Sequence, residues 1–232
     1  MILKELLAQK NPIKEQTFSR FFKTGKGQYG EGDLFLGISV PEIRRIALKY
    51  KDLSLEENNK LLSNKYHECR LVALMILVYQ YRHGDNKKKK QIFDFYLKNT
   101  KHINNWDLVD LSAYHIVGNY LLNRDRKILY KLAKSKNLWE RRISIISTYV
   151  FIKNKENKDT FKIAEILIND KHDLIHKACG WMLRESGKAV SEKDLLVFLE
   201  KHSGKMPRTM LRYAIEKFKE PKRQYFLHKK NN

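Results

Sequence analysis

The feature that most constrains the fold of this chain is a set of five similar segments that recur at intervals near 35 residues. Each segment follows a short polar loop and carries apolar residues at spacings of three and four, which is typical of a helix with one buried face. The equivalent positions, 37, 34, 35 and 33 residues apart, are Leu71, Leu108, Arg142, Lys177 and Met210. The segments read CRLVALMIL, WDLVDLSAY, RRISIISTY, HKACGWMLR and RTMLRYAIE.

A second helix is predicted between successive segments, so that each unit of about 35 residues contains a helix pair. These partner helices are expected near residues 55–63, 87–99, 125–135, 157–168 and 191–202. Sustained period-two alternation is absent, and four prolines and ten glycines leave most of the chain without helix breakers. Two helices per repeat predict an all-α protein, an α-solenoid whose helix pairs stack into a curved superhelix with a basic concave face.

We expect the solenoid to form a single domain over residues 1–232, because each helix pair buries its apolar face only against its neighbours. Within it, residues 1–40 are predicted to hold an N-terminal helix and a glycine-rich loop. The stacked pairs occupy 41–220, and a short basic tail follows at 221–232.

The stretch KTGKGQYGEGDLFLGI, residues 23–38, contains the letters G-x-G-x-x-G from Gly25 to Gly30. That pattern binds a nucleotide phosphate only where it leaves a strand and opens a helix. Here residues 1–22 look helical, and the Lys-Ser/Thr of a P-loop is missing. The glycines are therefore interpreted as shaping a loop that presents Tyr29, with Pro41 in the first turn of the next helix.

The charge of the chain is unusual, since 47 Lys and Arg against 26 Asp and Glu leave a net charge of +21. Such an excess favours a polyanionic partner, either nucleic acid or an anionic membrane surface. A general bias of composition toward Lys, Asn and Ile is the alternative.

The sequence indicates a cytoplasmic protein. It has no apolar run of the roughly 18 residues that a membrane span needs, and its first residues are too polar for a secretion signal. Cys69 and Cys179 stand alone in helical patterns, which favours reduced, buried thiols.

Chemically distinctive residues gather at the starts of the repeated helices. Spacings of three and four put such residues on one helix face, and helices repeated in register are expected to bring them to a common surface. They are Trp106 with Asp110, Trp181 with Arg184, Arg208 with Arg212, and Arg141 with Arg142. The residues alone leave alternatives open: a carboxylate at this place also complements a helix dipole or pairs with an arginine, and tryptophans often fill cores.

A metal site is not expected. His172 and His176 are four residues apart on a helix, but no glutamate follows His172 and no third ligand has motif spacing. A glycine-flanked serine or cysteine nucleophile is also missing from the sequence.

Five stretches together resemble the DNA alkylation repair family of HEAT-like DNA glycosylases, the AlkD type. The resemblance runs from about Phe21 to Phe218 with block order kept, and NNWDLVD and GWMLRE are its most specific pieces. The stretches are GQYGEGDLFLGISVPEIR, INNWDLVDLSAYHIVG, NLWERRISIIST, HDLIHKACGWMLRESGK and MPRTMLRYAIEKF.

The resemblance implies a monofunctional glycosylase that excises positively charged N3- and N7-alkylated purines, such as 3-methyladenine and 7-methylguanine, from duplex DNA in base excision repair. It implies a monomer on the nucleoid without metal or organic cofactor. The catalytic carboxylate falls on Asp110 and the two tryptophans on Trp106 and Trp181. DNA contacts fall on Arg142, Arg184 and Tyr29, and we expect Arg141, Arg208 and Arg212 to add phosphate contacts.

Two other functions are compatible with the sequence. One is a non-catalytic helical-repeat module that binds damaged or branched DNA, and the other is a repeat protein that binds acidic peptides or RNA. The carboxylate of Asp110 favours the enzyme, because an acid among phosphate-binding arginines would repel DNA in a simple scaffold.

Overall fold

Helices form all the regular secondary structure in residues 1–229, the part of the chain that the computed structural model describes. An isolated bridge joins Leu34 to Tyr66. A 3-10 turn, Thr100–His102, precedes α7, and a π-helical turn, Tyr114–Gly118, follows it. The α-helices are α1 (Ile2–Ala8), α2 (Pro12–Phe21), α3 (Val40–Lys49), α4 (Leu55–Leu62), α5 (His67–His83), α6 (Asn86–Lys98), α7 (Trp106–Ala113), α8 (Asn119–Leu121), α9 (Lys127–Ala133), α10 (Leu138–Ser147), α11 (Tyr149–Lys153), α12 (Lys158–Ile166), α13 (Asp173–Ala189), α14 (Glu192–His202), α15 (Arg208–Ala214) and α16 (Glu220–His228).

The predicted all-α fold is confirmed, and so is the pairing of helices. The five expected partner helices are α4, α6, α9, α12 and α14, and the five repeated segments lie on α5, α7, α10, α13 and α15. Residues 1–22 are helical but divided into α1 and α2, because Asn11 and Pro12 start a new helix. The predicted tail contains most of α16, a helix that was not predicted from the sequence, and the last residues of the tail, 230–232, lie outside the described residues.

The chain divides into two compact units, residues 1–116 and a second unit that begins at Val117, within the π-helical turn. In the first unit α5 packs against α3, α4, α6 and α7. In the second unit α13 packs against α10, α12, α14 and α15. Within each unit a repeated helix therefore packs on the next one, as the period predicts. That residues 1–232 form one domain with a basic concave face stays a prediction.

Local capping explains where the helices near the site begin. Ser39 and Glu42 form a capping box at the start of α3, with the Ser39 backbone N–H donating to Glu42 Oε2 at 3.0 Å. Pro41 lies in the first turn, as predicted. The side chain of Asn105 caps α7 by accepting a hydrogen bond from the Trp106 N–H at 2.8 Å.

A buried cluster of charged side chains ties the loop before α3 to the starts of α5 and α7. The Asp33 carboxylate accepts from Arg70 Nη2 at 2.7 Å and from Asn105 Nδ2 at 3.3 Å, and it lies 3.6 Å from His67 Nδ1. His67 Nε2 lies 2.8 Å from Asp107 Oδ2 on α7. Asp33, His67 and Arg70 are all buried, and each is beside an opposite charge, as burial demands.

Glu68 holds the next part of the same loop. Its buried carboxylate accepts hydrogen bonds from the backbone N–H groups of Leu36 and Gly37, each at 2.9 Å, and of Ile38 at 3.3 Å. Gly37 has a φ of 77°, and a Cβ there would stand 2.3 Å from the Asn11 carbonyl oxygen. Only glycine fits this conformation and this close approach to the start of α2.

Both cysteines are free and buried, as the sequence predicts. Cys69 lies on α5 and Cys179 on α13. Across residues 1–229, none of the helices combines the length and apolar character that crossing a membrane requires.

We predict that His67 makes the stability of the protein depend on pH. Burial opposes its charged form, but the carboxylates of Asp107 and Asp33 outweigh burial and raise the pKa of His67 from 6.5 to about 9. The charged ring therefore stabilises the fold fully below pH 6.5, and this contribution is lost as the pH rises through 9. The free-energy difference between wild type and His67→Gln should shrink by an amount on the order of 2 kcal/mol across this range.

Denaturant unfolding at pH 6 and at pH 9.5 measures this difference. His83→Gln, a change at an exposed histidine of the same helix, is the matched control and should leave the pH profile of wild type in place. Equal pH profiles for wild type and His67→Gln would mean that the His67 ring is neutral in the fold.

Candidate catalytic carboxylate and nucleic-acid interface

The first turns of α7 bring Trp106 and Asp110 together on one helix face. The two residues are four apart, and both side chains are half-buried. The Asn105 side chain caps α7, and the Asp107 carboxylate is paired with His67. Two separate contacts therefore hold the first turn of α7 in place. Trp106 and Asp110 therefore share one face of α7, and their joint role in a site stays a prediction.

Trp106 lies against aromatic residues from the end of α2. Its ring stacks on Phe22, with the ring centroids 5.5 Å apart and the planes at 25°, and meets Phe21 edge-on at 5.9 Å. An apolar cavity of about 450 Å³ opens beside these rings. The N-terminal helices therefore set the orientation of the indole, a contact that the sequence did not reveal.

The side chain of Asp110 is half-buried within the first unit. Burial raises the pKa of Tyr96, whose hydroxyl is hydrogen-bonded to Ser112 Oγ at 2.9 Å, and the negative charge of Asp110 adds to that rise. Asp110 thus lies within electrostatic range of the buried Tyr96 hydroxyl. An anion in such a setting interacts with a neighbouring cation more strongly than it would in water.

Trp181 lies on α13 in the second unit, where it is half-buried. Its ring centroid is 6.1 Å from that of Tyr149, the first residue of α11. The neighbouring Gly180 lets α13 approach α15 closely, because a Cβ there would stand 2.5 Å from the Met210 carbonyl oxygen. Close helix packing therefore supports the backbone that carries Trp181.

The arginines selected from the sequence fall into two groups. Arg141 is bound to Asp170 at 2.5 Å, Arg142 is buried and donates to the Leu174 carbonyl, and Arg184 is paired with Glu216 and Glu185. Arg208 and Arg212 are exposed at the start and the last turn of α15. Of these five arginines, only Arg208 and Arg212 have exposed side chains, and Arg208 also donates a hydrogen bond to the Leu227 carbonyl.

Tyr29 lies in the loop between α2 and α3, as expected, and is half-buried. Its hydroxyl is 3.5 Å from the Phe21 carbonyl oxygen. The loop therefore places this phenol near the aromatic residues that contact Trp106.

His172 and His176 have backbone partners. His172 Nδ1 accepts from the Leu174 N–H at 3.2 Å and so caps α13, while His176 Nε2 lies 2.5 Å from the Asp170 carbonyl oxygen. Burial lowers the pKa of His172, which favours the neutral ring that such a cap needs. Within residues 1–229, three or more His, Cys, Asp or Glu do not come together in a group that could hold a metal ion.

Two pairs of side chains of functional interest were not predicted from the sequence. One is the pair of His67 with Asp107, the residue after Trp106, and the other is the pair of Arg82 with His115, which joins α5 to the π-helical turn. Both pairs join residues more than 30 positions apart. The position of His115 could have been suspected from the repeat. His115 lies seven residues after Leu108, just as Arg184 lies seven residues after the equivalent Lys177.

Chemically, the first unit offers a fixed carboxylate and an indole that share one helix face. A carboxylate stabilises a developing positive charge, and the face of an indole attracts a cation. The arrangement is suited to a cationic group held next to Asp110.

The comparisons with known proteins point to a repair family. Residues 2–218 match the family described as "DNA alkylation repair enzyme". The fold is similar to that of a solved structure, a predicted DNA alkylation repair enzyme from Enterococcus faecalis, with a TM-score of 0.68. The two sequences are 16% identical, and the likeness covers 90% of this chain and 97% of the other. No curated protein matches the chain. With a family match over nearly its whole length, on a chain of paired helices, this protein belongs to the DNA alkylation repair family.

Proposed function

We propose that this protein is a monofunctional DNA glycosylase that releases positively charged N3- and N7-alkylated purines from duplex DNA in the cytoplasm. The observation that carries the proposal is the placement of Asp110 one helical turn after Trp106, on a helix whose start is fixed by a buried ion cluster. Membership of the DNA alkylation repair family and the net charge of +21 support a DNA substrate.

The reaction needs only one carboxylate. An N3- or N7-alkylated purine carries a positive charge, so the N-glycosidic bond breaks with its electron pair moving to the base, which leaves neutral. The sugar becomes an oxocarbenium-like cation, and the Asp110 carboxylate stabilises that charge. Water then attacks C1′ of the sugar, with Asp110 orienting it, and the proton that the water loses passes to solvent.

The indoles are assigned to the cationic nucleoside. Trp106 would contribute about 0.5 to 2 kcal/mol through a cation–π contact, which an uncharged purine cannot make. The same role stays a prediction for Trp181, which lies on the second unit. The stacking of Trp106 on Phe22 holds its ring in place before DNA arrives. Selectivity for charged lesions follows, because a neutral base lacks both this attraction and a labile bond.

The exposed arginines are assigned to the DNA backbone. Arg208 and Arg212 would contact phosphates without reading sequence, which gives salt-sensitive binding. Arg184 is also assigned to a phosphate, which would compete with Glu216 for its guanidinium group. Arg141 and Arg142 serve mainly to hold α10 to its neighbours.

We predict that Asp110→Asn releases 7-methylguanine and 3-methyladenine at least about a hundredfold more slowly than wild type, while DNA binding is kept or becomes tighter. The amide has the shape of the carboxylate but not its charge, so it cannot stabilise the sugar cation. Base release from methylated duplex DNA, assayed without added metal, measures the effect.

Asp94→Asn is the matched control, because Asp94 is an exposed aspartate on α6 of the same unit. It should release base at the wild-type rate. Tight DNA binding without base release by wild type would instead identify a non-catalytic module, and branched DNA would then be the ligand to test.

We predict that Arg212→Ala and Arg141→Ala have different effects. Removing the exposed Arg212 should lower the slope of log K against log salt by about 0.9, the value for one phosphate contact, and leave Tm within about 1 °C. Removing Arg141 leaves the buried Asp170 carboxylate without its cationic partner, and Tm should fall by roughly 5 °C with little change of slope.

DNA titrations at several salt concentrations and thermal unfolding measure both quantities. A fall of slope in Arg141→Ala, with an unchanged Tm, would mean that Arg141 leaves Asp170 to bind DNA.

A further inference from the structure

A basic cleft of about 280 Å³ lies on the first unit beside the helix that carries Asp110. Its walls come from α3, α5, the end of α7 and the π-helical turn. Acidic residues are missing from its described lining, and the polar and aromatic groups that line it are Arg44, Tyr79, Arg82, His83, Tyr114 and His115. The cleft therefore combines positive charge with flat ring surfaces.

The centre of the cleft is a contact between Arg82 and His115. Arg82 Nη2 lies 3.0 Å from Nδ1 and 2.8 Å from Nε2 of His115. Burial and the positive charge of Arg82 lower the pKa of His115 to about 4, so the ring is neutral near pH 7. The imidazole therefore orients the guanidinium group without cancelling its charge.

Several other arginines that contact neighbouring helices are paired with carboxylates, and Arg82 differs from them in this respect. Arg126 pairs with Glu156 and Asp159, and Arg184 pairs with Glu216. In residues 1–229 the structure gives neither Arg82 nor Arg44 a carboxylate partner, and both side chains are exposed. Two guanidinium groups with uncompensated charge at one cleft favour an anionic ligand.

In the repeat, His115 of this cleft occupies the position equivalent to Arg184, which is assigned to a DNA phosphate. His115 lies seven residues after Leu108, and Arg184 lies seven after Lys177, its equivalent in the repeat. Leu111, the neighbour of Asp110, also lines the cleft. The cleft begins where α7 changes to a π-helical turn, a distortion that is frequent at functional sites.

We propose that Arg44 and Arg82, the latter oriented by His115, bind a backbone phosphate of the DNA. The proposal rests on the proposed function. It adds a phosphate contact on the first unit to those assigned to Arg184, Arg208 and Arg212 on the second unit. The planar guanidinium fork matches the oxygens of a phosphodiester, and Tyr79 and Tyr114 offer flat surfaces to the adjoining deoxyribose.

The test compares Arg82→Ala and Arg44→Ala with Arg45→Ala on an unmodified duplex. Arg45 is the matched control, because it is an exposed neighbour on the same helix whose charge acts on Glu5 and Glu42 instead. Each of the first two variants should bind about tenfold more weakly and show a salt slope reduced by up to about 0.9. Arg45→Ala should match wild type within about a factor of two.

A scan with single uncharged methylphosphonates, in a duplex where one tetrahydrofuran abasic analogue gives the bound protein a fixed register, then identifies the contacted phosphate. Wild type and Arg45→Ala should lose affinity at one backbone position that Arg82→Ala no longer senses. If Arg82→Ala keeps the wild-type affinity, slope and methylphosphonate profile, the proposal is overturned.

Base release measured in parallel separates this inference from the proposed function. If wild type releases alkylpurines and Arg82→Ala binds as tightly as wild type, the phosphate site is refuted and the glycosylase stands. If wild type binds DNA but releases no base, and Arg82→Ala alone loses the methylphosphonate response, the phosphate site stands and the glycosylase does not.

Discussion

Asp33 is a buried carboxylate, and a buried charge persists only where opposite charges and donors surround it. In the first unit these partners come from two different helices: His67 and Arg70 from the start of α5, and Asn105 from the residue that caps α7. These contacts therefore hold the loop that carries Asp33 against the starts of α5 and α7. The position of the start of α7, which carries Trp106 and, one turn later, Asp110, depends on these contacts.

Much of the fold follows from local rules and could be read from the sequence. The helix pairs were predictable because apolar spacing and a period near 35 residues are properties of the chain itself. The capping of α3 by Ser39 and Glu42 follows the same local logic. The division between α1 and α2 was missed although Asn11 and Pro12 signal it, and the π-helical turn has no comparable sequence signal.

The candidate site was predictable only in part, for a physical reason. Trp106 and Asp110 belong to one helix, so their spacing in the sequence fixes their shared face. The partners of Asp33 lie 34 to 72 residues along the chain, and Asp170 and Glu216, which pair with Arg141 and Arg184, lie 29 and 32 residues away, so only tertiary packing brings them together. In the sequence all the arginines are alike in charge, whereas burial and pairing separate Arg141, which is bound to Asp170, from the exposed Arg212.

The two buried cysteines have a consequence for a member of a family named for alkylation repair. The nucleophilic form of cysteine is the thiolate. Burial raises the pKa of Cys69 to about 12 and that of Cys179 as well, so both thiols stay protonated and out of reach of solvent. The chain has no other cysteine. The fold thus presents no reactive thiol that an alkylating electrophile could modify, since both cysteines lie among the described residues and are buried.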